Sequence, residues 1–146
     1  MLLRWRLLVV GVAGAVALTT AGPAAAAGGT TSRVSVSSTG AQAGGDSGRD
    51  FPSVSADGRY VAFDSYAANL VPGDTNGTSD VFVRDLRAGT TSRVSVSSTG
   101  AQPNGRSGVP SVSADGRYVA FTSGAANLVP GDTNGAFDVF VRDRVG

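Results

Sequence analysis

Residues 53–65 read SVSADGRYVAFDS, and residues 111–123 repeat them as SVSADGRYVAFTS. A proline precedes each copy, Pro52 and Pro110, a position that tolerates proline when it opens a strand. Ala56-Asp57-Gly58 then reads as a turn: an aspartate can accept from its own backbone two residues on, and glycine takes positive φ without a Cβ clash. Residues 52–55 and 59–65 are thereby expected to be two strands joined by a tight hairpin. The apolar triplet Val61-Ala62-Phe63 suits an inner strand packed on both faces.

Working outward, DVFVRD at residues 80–85 has the same character and is expected to be a third strand. Ala88-Gly89 turns the chain into residues 92–98, SRVSVSS, where Val94 and Val96 alternate with Ser95 and Ser97. Strict alternation predicts a fourth, outer strand, wet on its serine face. Four antiparallel strands recurring every ~40–60 residues are the pattern of a propeller blade.

The chain writes this unit twice. TTSRVSVSSTGAQ occupies residues 30–42 and returns unchanged at 90–102. Residues 53–85 return at 111–143 with four changes: Asp64/Thr122, Tyr66/Gly124, Thr78/Ala136 and Ser79/Phe137. The two units span about 30–89 and 90–146. At PSVSADGRYVAF followed by DVFVRD the chain resembles the TolB-like, WD-like β-propeller repeat. The resemblance covers both units and implies an all-β fold of propeller blades with a binding role on their faces. It supplies no ligand, since the fold hosts many functions. The chain departs from the family pattern between the second and third strands, where a long loop runs through residues 67–79.

Propellers close with ~4–8 blades, and here there are strands for two. A copy of the fourth strand, residues 32–38, precedes the first full unit, and the second unit stops after its third strand. Two explanations stand: a fragment or shortened relative of a longer propeller protein, or a unit that completes a ring by head-to-tail homo-oligomerisation.

Composition narrows the chemistry. All 12 basic residues are arginine and all 11 acidic ones aspartate, with no Lys, Glu, His or Cys. Helix-favouring Lys and Glu are missing while Gly, Ser, Thr and Val abound, which agrees with an all-β fold. Without His or Cys, Ser-His-Asp and Cys-His nucleophiles, thiolate or histidine metal sites and disulfides are excluded. The net charge of +1 favours neither nucleic acid nor an anionic membrane as partner.

Residues 1–27 read as a secretory signal peptide: a basic MLLRWR, the apolar run LLVVGVAGAVAL, then small residues with Ala-x-Ala cleavage options after Ala26 or Ala27. The apolar run is 12 residues, short of the ~20 that a spanning helix needs. The expected product is an exported chain from residue 28 onward, secreted or held in the cell envelope, without a membrane span.

One stretch invites a metal. In GDTNGTSD and GDTNGAFD, Asp74, Asn76 and Asp80, and again Asp132, Asn134 and Asp138, place oxygens at positions 1, 3 and 7 of a loop. Calcium takes such carboxylate and amide oxygens. The spacing fails the EF-hand pattern, because glycine falls at position 4 and a strand follows. An Asn-Gly turn with aspartates bonding backbone amides is the simpler reading, calcium the alternative. No cofactor is otherwise implied. The SADGRY stretch is read as a hairpin turn rather than a sialidase-type Asp box. Carboxylates are the only acid/base candidates, and none is marked out as a pair. The expected function is a non-catalytic module binding a protein or an envelope or extracellular ligand. The alternative is the propeller part of a hydrolase, a peptidase or glycosidase, whose catalytic portion lies elsewhere.

Overall fold

The computed structural model describes residues 28–146; the proposed signal peptide lies outside them. Among the described residues there is no helix, and two antiparallel sheets account for all the regular structure. The first contains β1 (Ser53–Val54), β2 (Tyr60–Ser65), β3 (Asp80–Asp85) and β4 (Thr90–Arg93), in that spatial order. The second contains β5 (Ser107–Val112), β6 (Tyr118–Ser123) and β7 (Asp138–Asp143), again in sequence order. The chain is therefore all-β, with one four-stranded and one three-stranded sheet.

The two copies keep the same register. Phe63 lies opposite Phe82 and Phe121 opposite Phe140, with ring centroids 5.9 and 5.8 Å apart. The β1–β2 turn forms as its residues dictate. Gly58 adopts φ 70° and its N–H donates to the Ser55 carbonyl, while Asp57 Oδ1 accepts from Ser55 Oγ at 2.6 Å and Arg59 N at 3.0 Å. Just before β1, and inside β5, Phe51 and Val109 hold φ of 53° and 51°. Left-handed backbone is strained for a β-branched residue, and at Val109 it accompanies an irregularity in the β5–β6 register between Gly108 and Ser111.

The sheets stack face to face. Ala62, Val81 and Val83 of the first sheet bury against Val119 and Phe121 of the second and Ala125 and Leu128 of the loop after β6, with Val94 in the same cluster. Full burial of a valine or leucine is worth ~1.5–3 kcal/mol, so this seam is the largest apolar contribution in the fold. On the opposite face of the first sheet, Phe63, Phe82, Ala67 and Leu70 form a second core, capped by Ala43 and Val71.

The fourth strand differs from the sequence expectation. It ends at Arg93 instead of running to residue 98, and its serines are not wet: Ser95 and Ser97 are buried. After Arg93 the chain leaves the first sheet and crosses to the second, where Arg142 Nη1 donates to the Ser97 carbonyl at 3.2 Å. Ser95 points inward because its hydroxyl donates to buried Asp80 at 3.1 Å and accepts from the Val81 amide at 3.0 Å. Alternation here marks a crossing, not a strand. The first copy behaves alike. Residues 32–38 form no strand, only a single bridge from Val36 to Gln42, and Arg84 Nη1 donates to the Ser37 carbonyl at 3.1 Å. The first strand is also shorter than expected, Ser53–Val54.

Candidate functional site

The acidic loop of the first repeat brings its three named residues together, around a guanidinium. Asp74 Oδ1 lies 3.3 Å and Asp80 Oδ2 3.0 Å from Arg93 Nη1. Asn76 Nδ2 donates to both Asp80 oxygens, at 3.2 and 3.1 Å, and to the Pro103 carbonyl at 3.1 Å. The Gln102 side-chain oxygen accepts from Arg93 Nη1 at 3.2 Å. Asp80 is fully buried, and burial pushes its carboxyl above the ordinary range while the Arg93 hydrogen bond and charge pull against it. Burial raises Asp74 too, again opposed by Arg93. A cation is thus already supplied by the chain, and an ion taking these oxygens would have to displace the guanidinium. Asn76 also closes its turn as the Asn-Gly reading expects, its Oδ1 accepting from Thr78 N at 3.2 Å.

In the second repeat the same side chains lie open. Asn134 Nδ2 donates to Asp138 Oδ2 at 2.9 Å, and among the described residues neither Asp132 nor Asp138 meets a cation. With Pro130, Gly131 and Phe140 they line a cavity of about 280 Å³. No group of three or more carboxylates gathers into a metal-binding cluster among the described residues.

A second feature occurs in both repeats. The SSTGA segment folds into a tight turn, in which the Ser37 amide donates to the Ala41 carbonyl and Ser37 Oγ accepts from Ala41 N. Facing it is the AANLVPG loop, and between them runs a groove of about 460 Å³ lined by Ser38, Thr39, Ala41, Leu70, Val71 and Pro72. The matching groove of the second repeat is about 430 Å³, lined by Ser98, Thr99, Ala101, Leu128, Val129 and Pro130. Asn69 holds the first groove in shape, its Oδ1 accepting from Gly44 N at 2.8 Å and its Nδ2 donating to the Gln42 carbonyl at 2.8 Å. Asn127 makes the same two bonds to Asn104 N and the Gln102 carbonyl, both at 3.0 Å. Sequence reasoning did not single out these grooves. A signal was present: both lining segments are unchanged between copies, while all four substitutions fall elsewhere.

Three of those substitutions are linked by contact; nothing in the structure explains Thr78/Ala136. Asp64, buried, accepts from Asp50 N at 3.0 Å and from Ser79 Oγ at 3.4 Å, and its counterpart Thr122 accompanies Phe137 in place of Ser79. Phe137 packs over Gly124, which replaces Tyr66. Asp50 forms an ion pair with Arg106 and lies so close to Gly108 that a Cβ there would push its carboxylate aside.

The strand-end arginines and aspartates pair mainly within their own sheet. Arg59 grips Asp85 with two bonds, at 3.0 and 2.7 Å, and Arg117 grips Asp143 at 2.9 and 2.6 Å. The Arg59 guanidinium holds the Asp85 carboxyl well below the usual range, and Arg117 lowers that of Asp143 to about 2. No family model matches the chain, and no curated protein matches it.

Proposed function

We propose that the two sheets are propeller blades of the TolB-like kind, and that the chain is an exported, non-catalytic binding module whose ligand lies in the paired grooves. The duplicated groove carries this reading. Two separate segments of each repeat build it, an asparagine clamps it, and both copies keep its lining unchanged. Ser38 and Thr39, whose hydroxyls bond the Thr91 backbone and Ser37, rim a floor of Leu70, Val71 and Pro72, with no charge and no aromatic platform. Such a surface suits an uncharged, extended peptide segment of a partner protein, with small apolar side chains on the floor. The acidic residues support structure in this reading: each strand-end aspartate is held ionised by an arginine, which leaves it unsuited to proton transfer.

Selection of displayed random peptides on the purified protein tests the reading, with a double A41R/A101R variant as comparison. Ala41 and Ala101 are exposed on the groove walls, so arginine there fills the grooves without disturbing the turn. Uncharged peptides that bind the parent and lose at least tenfold in affinity on the variant are expected. Peptides that bind both equally, or none selected, would refute it. N-terminal sequencing of protein recovered from the medium of expressing cells should begin at residue 27 or 28.

A further inference from the structure

Two identical strands of this chain live in opposite surroundings. β3 and β7 are both DVFVRD. Val81 and Val83 are 0% and 1% exposed, whereas their counterparts Val139 and Val141 are 74% and 65% exposed. β3 pairs with β2 on one side and with TTSR of β4 on the other, Phe82 opposite Arg93 and Val83 opposite Ser92. Among the described residues β7 pairs only with β6. The β4 partner of β3 has an unused duplicate at the other end of the chain. TTSR occurs again at residues 30–33, exposed and outside any strand. Val34, Ser35 and Val61 are half-buried where Val94, Ser95 and Val119 are fully buried.

The ionic and aromatic details agree. Arg93 fills the space between Asp74 and Asp80; the equivalent space beside Asp132 and Asp138 is the open cavity of about 280 Å³. Gly116 stacks on the Tyr60 ring so closely that a Cβ would overlap it, and Ala56 N donates to the Ala114 carbonyl across the same seam at 3.1 Å. Gly58, the counterpart of Gly116, faces open space, and Tyr118, the counterpart of Tyr60, is exposed.

We propose that the partner of the β7 edge is a second copy of this chain. Residues 30–33 of that copy add as a fourth strand, placing its Arg33 opposite Phe140 and its Ser32 opposite Val141, in the β3–β4 register. Its Arg33 enters between Asp132 and Asp138, its Ser35 hydroxyl serves Asp138 and the Val139 amide, and its Gly58 stacks on Tyr118. Residues 34–43 of that copy stay docked on its own first sheet, so nothing need unfold. The contact is heterologous, each chain offering one end and accepting the other. The inference rests on the seam between the sheets and not on the grooves, so its failure would leave the binding proposal standing.

Light scattering on size-exclusion fractions of the full chain tests it with two blocked variants. R33E spoils the donating end and V141R the accepting end. Both positions are exposed, and circular dichroism verifies that each variant keeps the parent's spectrum. The parent should run as an assembly of several chains, each variant alone as a monomer, and an equimolar mixture of the two as a dimer. A monomeric parent, or a mixture that stays monomeric, overturns the proposal. The chain has no cysteine, so a double S32C/V141C variant provides an independent reading. Oxidation should give a ladder of linked chains; linkage confined within single chains, or none, overturns the register.

Discussion

Arg93 and Arg33 stand in the same 13-residue sequence, residues 90–102 and 30–42, yet their removal should have opposite consequences for the folded unit. Substituting alanine for Arg93 deletes the only cation that the described residues place beside Asp74 and Asp80, whose side chains are 5% and 0% exposed. Breaking a buried pair by removing one partner costs ~3–5 kcal/mol, because the other charge stays buried. Asp80 keeps the Ser95 hydroxyl and the Asn76 amide, which places the loss near the low end, about 3 kcal/mol. For a domain of this size that is a fall of roughly 12 °C in melting temperature. R33A removes an exposed side chain and should change the melt by under about 0.5 kcal/mol. The assay is urea unfolding of both variants and the parent at high dilution, repeated between pH 7 and pH 4. Burial already raises the two carboxyls, and loss of Arg93 raises them further. A carboxyl raised in the folded state stabilises most below its unfolded value, and that contribution is lost as pH rises through the folded value. The gap between R93A and the parent should therefore narrow on acidification. A gap below about 1 kcal/mol at pH 7, or one that widens towards pH 4, would refute the reasoning.

Gly116→Ala and Gly58→Ala place the same methyl at the same positive φ, but only the first meets a ring. Thermal melts at high dilution should show G116A about 1–2 kcal/mol less stable than G58A, and equal melts would mean the Tyr60 contact is dispensable. The Asp85 and Asp143 carboxyls are both lowered, Asp143 to about 2. Their stabilisation is present above the unfolded value of about 3.9 and is lost as pH falls through the folded values. Unfolding midpoints of the parent should drop between pH 4 and pH 2, and D85N/D143N should show a lower plateau at pH 6 with a shallower acid fall.

The inner strands were legible because their residues leave little choice. Asp80–Asp85 was placed to the residue and Tyr60–Ser65 to within one, since a tight Asp-Gly turn and apolar triplets fix both ends and both faces. The outer strand was misplaced for a reason that alternation cannot reveal. Val94 and Ser95 both go inward, one into the seam and one onto Asp80, at the point where the chain changes sheets. The acidic loop was half legible. Spacing gathered Asp74, Asn76 and Asp80, but the group at their centre arrives 13 residues after Asp80, and nothing in the loop announces Arg93. The grooves were missed because each depends on two segments whose proximity comes only from the crossing.

That crossing sets the repeat out of phase with the sheet. TTSR finishes one layer and SSTGA begins the next, so the unit that the sequence copies is never the unit that packs. Any duplication of the stretch, wherever it is cut, inserts a whole layer between two existing ones and reproduces a seam already known to fit. Such a chain can lengthen or shorten by whole layers without inventing a contact, which is how near-identical neighbours could arise by a single copying event.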